Sequence, residues 1–124
     1  MPALRIAFLV HGAVAALFGL FFVLAAGMAI GSFDLGEPTL PALLFARSAG
    51  IALLGLALIN LMSPGDIAAP AVCGVAIANI LVHLGSIAVD FSESYARNPG
   101  VWVGLSIHLI FAALFAYFLL FRRS

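Results

Sequence analysis

The sequence predicts an all-α membrane protein, a four-transmembrane-helix antiparallel bundle with both termini cytoplasmic. Three observations carry this expectation. Of 124 residues, 65% are hydrophobic and 8% charged, against about half and a quarter in soluble domains. The apolar residues fall into four long runs, and about 20 such residues are enough to cross a bilayer as a helix. Basic residues gather at the ends, with Arg5 near one and Arg122 and Arg123 at the other.

The four spans form one expected domain, 1–124, with helices over about 3–30, 41–62, 67–91 and 99–121. Lipid offers the backbone no hydrogen-bond partners, so a spanning segment must be a helix or part of a closed barrel. No ten-residue alternation supports a barrel. The first run is too long for the apolar part of a signal peptide, so it is expected to remain as a helix.

Turn chemistry separates the spans. Gly31 to Leu40 holds Ser32, Asp34, Gly36, Glu37, Pro38 and Thr39. Ser63-Pro64-Gly65-Asp66 reads as a tight turn, with Asp66 suited to cap the third helix. Pro70 falls early enough in that helix to be tolerated. Asp90 to Asn98 is the longest polar stretch, and Pro99 suits the first position of the fourth helix.

Four spans put both ends on one side, and the positive-inside rule makes that side cytoplasmic. The two longer loops then face outward with Asp34, Glu37, Asp90 and Glu93, and with Arg97 as their one basic residue. The expected location is the inner (cytoplasmic) membrane. Small residues recur four apart in every span: Gly12 and Ala16, Ala15 and Gly19, Gly27 and Gly31, Ala46 and Gly50, Gly74 and Ala78. Gly104, His108 and Ala112 continue the pattern in the last span. Such spacing lets helices approach closely in lipid.

Some function classes drop out at once. A formal net charge of zero leaves no basic footprint for nucleic acid. The single cysteine, Cys73, excludes an internal disulfide and any paired-thiol motif. No nucleophile and base stand at useful spacing, so the expectation is non-enzymatic.

Ionisable and amide side chains inside a membrane are functional candidates because their burial is costly. Asn79, His83, Ser86 and Asp90 lie within roughly 60° of one another on a helix. Arg47, His83 and His108 stand about 9 to 14 Å from the outer ends of their helices and share one layer. Arg47 can snorkel to headgroups or join helices through an acidic partner, Asp90 or Glu93. It can also serve as an anion-orienting cation. The histidines can join helices by hydrogen bonds. Alternatively, His83 and His108 can ligate a tetrapyrrole, haem b or a chlorophyll-type pigment. Gly104, one turn before His108, would leave room for a flat macrocycle. His11 and Asn60 lie in the inner half, but nothing polar in 54–57 or 75–78 links them to the outer layer.

The first span lacks the carboxylate of small multidrug exporters, no run fits a fluoride channel, and one cysteine is too few for a thiol quinone reductase. The runs 45–56 (Phe45-Ala46-Arg47-Ser48-Ala49-Gly50 onward) and 108–118 (His108-Leu109-Ile110-Phe111-Ala112-Ala113 onward) resemble a loose set of uncharacterised bacterial four-helix membrane proteins. That resemblance implies the four-helix layout and no particular activity. The expected role is a structural or accessory subunit of a larger membrane assembly. Its partners would be lipid and other membrane subunits or copies of itself. The alternatives are a tetrapyrrole-binding protein in electron transfer or light harvesting, and a small oligomeric transporter.

Overall fold

The computed structural model describes residues 2–63, 65–66, 69–92 and 99–121. Among them every regular element is helical: α1 (Pro2–Leu24), α2 (Ala26–Ser32), α3 (Leu40–Met62), α4 (Pro70–Ser92) and α5 (Pro99–Phe121). Four of these, α1, α3, α4 and α5, are long and apolar enough to cross a membrane, and they mark the chain as a multi-pass membrane protein. No more than a third of any span is buried inside the chain. Most of the apolar surface is therefore left for lipid or for other proteins.

Two compact units are formed. Leu9–Met62 is one; Met1–Phe8 together with Ser63–Ser124 is the other. In the first unit, α1 and α3 meet along glycines. A Cβ built on Gly12 would fall 2.8 Å from Leu61 and 3.1 Å from the Ala57 carbonyl oxygen. One on Gly19 would fall 2.9 Å from the Gly50 oxygen, and one on Gly50 would fall 2.8 Å from the Gly19 oxygen. Later residues of α1 thus meet earlier residues of α3, so the two helices run antiparallel. The reciprocal contact at Gly19 and Gly50 aims an α-hydrogen of each glycine at the other's carbonyl. This is the weak C–H···O pairing that recurs where helices cross closely.

The stretch 3–30, read from sequence as one span, is broken. Ala25 leaves the helical region at φ −129°, ψ 43°, in a segment of small residues without proline. After the break Phe33 stacks on Phe22, with centroids 5.7 Å apart and planes at 4°, and lies 6.1 Å from Phe18. Eleven residues of straight helix would separate positions 22 and 33 by about 16 Å. The seven-residue α2 therefore turns back rather than extending α1. This places Ala26 and Ile30 against Ala46, with Phe22, Ala42 and Leu43 packed around them. Burial of that cluster accounts for the break, because a continuous helix would carry Ala26 and Ile30 past it.

The helix ends show local chemistry. Beyond α2, Leu35 N–H donates to the Ile30 carbonyl and Asp34 N–H to the Gly31 carbonyl. Asp34 sits at φ 52°, the left-handed position of a Schellman stop. At the start of α3, the Thr39 hydroxyl accepts from Ala42 N–H at 3.4 Å and the Thr39 carbonyl accepts from Leu43 N–H at 2.9 Å. That is an N-cap arrangement. Helix α4 starts at Pro70 rather than near 67, and proline suits that first position because its missing N–H would have had no helical partner.

In the second unit, Phe8, Val72, Ala76, Leu105, Phe111, Phe115 and Phe118 are all buried. Gly65, at φ +82°, lies against the first turns of α1: a Cβ there would fall 2.7 Å from Arg5 Cβ and 2.8 Å from Arg5 N. The Arg5 guanidinium donates to the Ser63 carbonyl in the same region.

Candidate functional site

Helix α4 has two opposed faces. Val72, Ala76, Asn79 and His83 are buried, and their spacing of four, three and four puts them on one side. Asn79 has no accessible surface and His83 is 4% exposed. Ser86, one turn further along, is half-buried. Asp90 belongs to α4, but its side chain lies outside the described residues.

The buried face meets α5. His83 Nδ1 and His108 Nδ1 are 2.9 Å apart, with ring centroids at 5.2 Å and planes inclined by 48°. This is hydrogen-bond distance. One ring must present Nδ1–H and the other an Nδ1 lone pair, so the two neutral rings hold opposite tautomers. Phe111 lies nearly parallel to His83, at 5.5 Å and 14°. An aromatic row continues from Phe111 to Phe115 at 6.4 Å and on to Phe8 at 5.2 Å. His108, Phe111 and Phe115 are three and four positions apart, one face of α5. That spacing was visible in the sequence. The sequence puts His83 and His108 in one layer, and the structure adds Phe111 and Phe115 to the face that His108 occupies.

The other candidate residues lie elsewhere. Arg47 is exposed on α3 in the first unit, and its suggested partner Glu93 lies outside the described residues. His11, 3% exposed, and Asn60, 0% exposed, also belong to the first unit. Asn60 donates from Nδ2 to the Leu56 carbonyl at 2.8 Å, one turn back in its own helix.

The geometry limits which cofactors the pair can hold. Metal–imidazole bonds of about 2.0 Å set two axial nitrogens about 4 Å apart across an iron, with the macrocycle between the rings. Nitrogens 2.9 Å apart and bonded to each other leave no place for that plane. His83 and His108, arranged this way, do not fit as the two axial ligands of one haem, although a Cβ on Gly104 would meet nothing within 4 Å. Among the described residues, no three of His, Cys, Asp and Glu gather into a metal site.

His83 and His108 thus form a part-buried polar link between α4 and α5. Comparison with known proteins adds no family to this picture: no family model, no curated protein and no solved structure matches the chain.

Proposed function

We propose that this protein is a structural or accessory subunit of a larger assembly in the inner membrane, with both termini on the cytoplasmic side. One observation carries the reading: the outward face of α4 exposes three small residues, Gly74, Ala78 and Gly85, among larger apolar ones. With Leu81 they repeat at four, three and four, opposite the buried face of Val72, Ala76, Asn79 and His83. A Cβ on Gly74 or Gly85 would meet nothing within 4 Å, in contrast to Gly12, Gly19 and Gly50. Glycine inside a helix costs about 1 kcal/mol relative to alanine, and lipid contact returns none of it. Close approach of a second helix does, because small residues let backbones pack in a membrane. On α3, exposed Ser48, Ala52 and Gly55 form a similar stripe.

The orientation rests on Arg5, Arg122 and Arg123 at the chain ends. The double variant Ala78→Leu and Gly85→Leu tests the reading. Helicity and thermal stability in detergent are expected to stay unchanged, while the native-gel band of the gently extracted complex, or of the self-associated form, is lost. Wild-type protein that runs as a lone monomer when extracted from its native membrane in mild detergent would overturn it.

A further inference from the structure

We propose that Arg47 is a binding site for the phosphate of one anionic phospholipid, seated against α3 in the leaflet that meets the Leu40 end of that helix. The site depends on α3 being long and apolar enough to span a membrane, and not on the subunit reading.

Arg47 is the only charged residue of α3, and it is exposed. Leu40, Leu44, Arg47, Ile51 and Leu58 are spaced by four, three, four and seven, so they fall within roughly 60° of one another on the helix. All four apolar members of that line are exposed. The buried residues of α3, Ala46, Gly50, Ala57 and Asn60, occupy another face. The stripe of Ser48, Ala52 and Gly55 lies beside the line rather than on it. Arg47 therefore shares its face with large aliphatic side chains of the kind that meet acyl chains.

A cation on such a face is costly unless an anion neutralises it. Among the described residues Arg47 makes no hydrogen bond or ion pair, although Asp34 and Glu37 stand shortly before α3 in the same unit. The neutralising group must then come from outside this unit, and the position of Arg47 selects a headgroup. Its Cα lies about 10 Å from the Leu40 end. Cα–Cβ bonds in a helix tilt towards the N-terminus, which for Arg47 is the near end. The long side chain can thus carry its guanidinium towards the phosphate layer while its stem stays among apolar neighbours.

The chemistry of the group narrows the ligand. A guanidinium presents two parallel N–H donors that match two phosphate oxygens. In phosphatidylglycerol that phosphate carries an uncompensated charge, whereas in phosphatidylcholine the headgroup ammonium offsets it. One guanidinium takes one phosphate, so the expected stoichiometry is one lipid per chain.

Native mass spectrometry tests this on the full chain, extracted in mild detergent from liposomes of equimolar phosphatidylglycerol and phosphatidylcholine. The wild-type chain should retain one phosphatidylglycerol in preference to phosphatidylcholine. Arg47→Gln should retain about tenfold less of it, the fold-change of one lost charge-assisted hydrogen bond, with unchanged helicity. Arg47→Lys should keep part of the preference, since the charge remains but the fork is lost. Arg122→Gln, which removes a positive charge at the chain end, should leave it intact. Equal retention of both lipids by the wild type, no loss in Arg47→Gln, or an equal loss in Arg122→Gln would overturn the proposal. A preference that arises only in the double variant Asp90→Asn and Glu93→Gln would overturn it too, by giving Arg47 a carboxylate partner in its own chain. So would a wild-type chain that keeps no lipid and, extracted from its native membrane, loses a second protein on Arg47→Gln, which would assign the guanidinium to a neighbouring subunit. The wild-type comparison and Arg47→Lys decide the matter even if Arg47→Gln does not fold.

Discussion

Gly50→Ala should weaken the contact between α1 and α3, and the size of the effect can be worked out from the crossing. The new Cβ would stand 2.8 Å from the Gly19 oxygen, 2.8 Å from Val23 Cγ2 and 3.0 Å from Phe22 Cβ. Two of these three neighbours are backbone or Cβ atoms that no rotamer change can move. Carbon contacts are favourable at about 3.5–4.0 Å, so the helices must separate by roughly 0.5–1 Å, which forfeits a quarter to a half of the dispersion energy of each contact. Overpacking of this kind costs about 1–3 kcal/mol. Alanine returns about 1 kcal/mol through its better helix propensity, leaving a net loss of about 0–2 kcal/mol. Gly55→Ala, five positions along the same helix, is the control. A Cβ there meets nothing within 4 Å, so the propensity gain comes without a clash and stability should hold or rise slightly. Reversible unfolding by SDS in mixed bicelles, followed by far-ultraviolet circular dichroism, reads both variants on one scale. Equal shifts of the two midpoints, or a stabilised Gly50→Ala, would refute the idea that this pair of helices is held by direct backbone approach.

Two further outcomes follow from the second unit. Gly65→Ala is expected to destabilise by about 2–4 kcal/mol in the same unfolding assay, combining the left-handed penalty of an L-residue with overlap on the Arg5 backbone; a neutral result would show that Gly65 is not held at φ +82° against α1. Reconstitution of the purified protein with haem b is expected to give no low-spin bis-histidine spectrum, because the two imidazoles are bonded to each other at 2.9 Å; such a spectrum, abolished by His83→Ala, would show that the pair opens to admit the macrocycle.

Much of the architecture can be read without a fold. Four helices long and apolar enough to span a membrane follow from composition and run length, since a chain so poor in charge has little but membrane helices open to it. Asn79 and His83 could be placed on one helical face by counting alone, because helical periodicity is a local property. Thr39 was placed in the turn before the second span, and its hydroxyl accepts from the third residue of α3.

The partners were not legible, because a partner depends on which faces meet, and apolar sequences say little about that. Gly50 and Gly55 look alike in the sequence, yet one touches the backbone of another helix and the other is open. The break at Ala25 carries no proline and is favoured by the cluster that Ala26 and Ile30 complete with Ala46. His83 and His108 could be assigned a common depth, but a depth estimate from a rise of about 1.5 Å per residue carries no information about rotation around the helix. Folding α4 against α5 set the two Nδ1 atoms 2.9 Å apart, at bonding distance, and that contact depends on helix rotation, which counting along the chain does not supply.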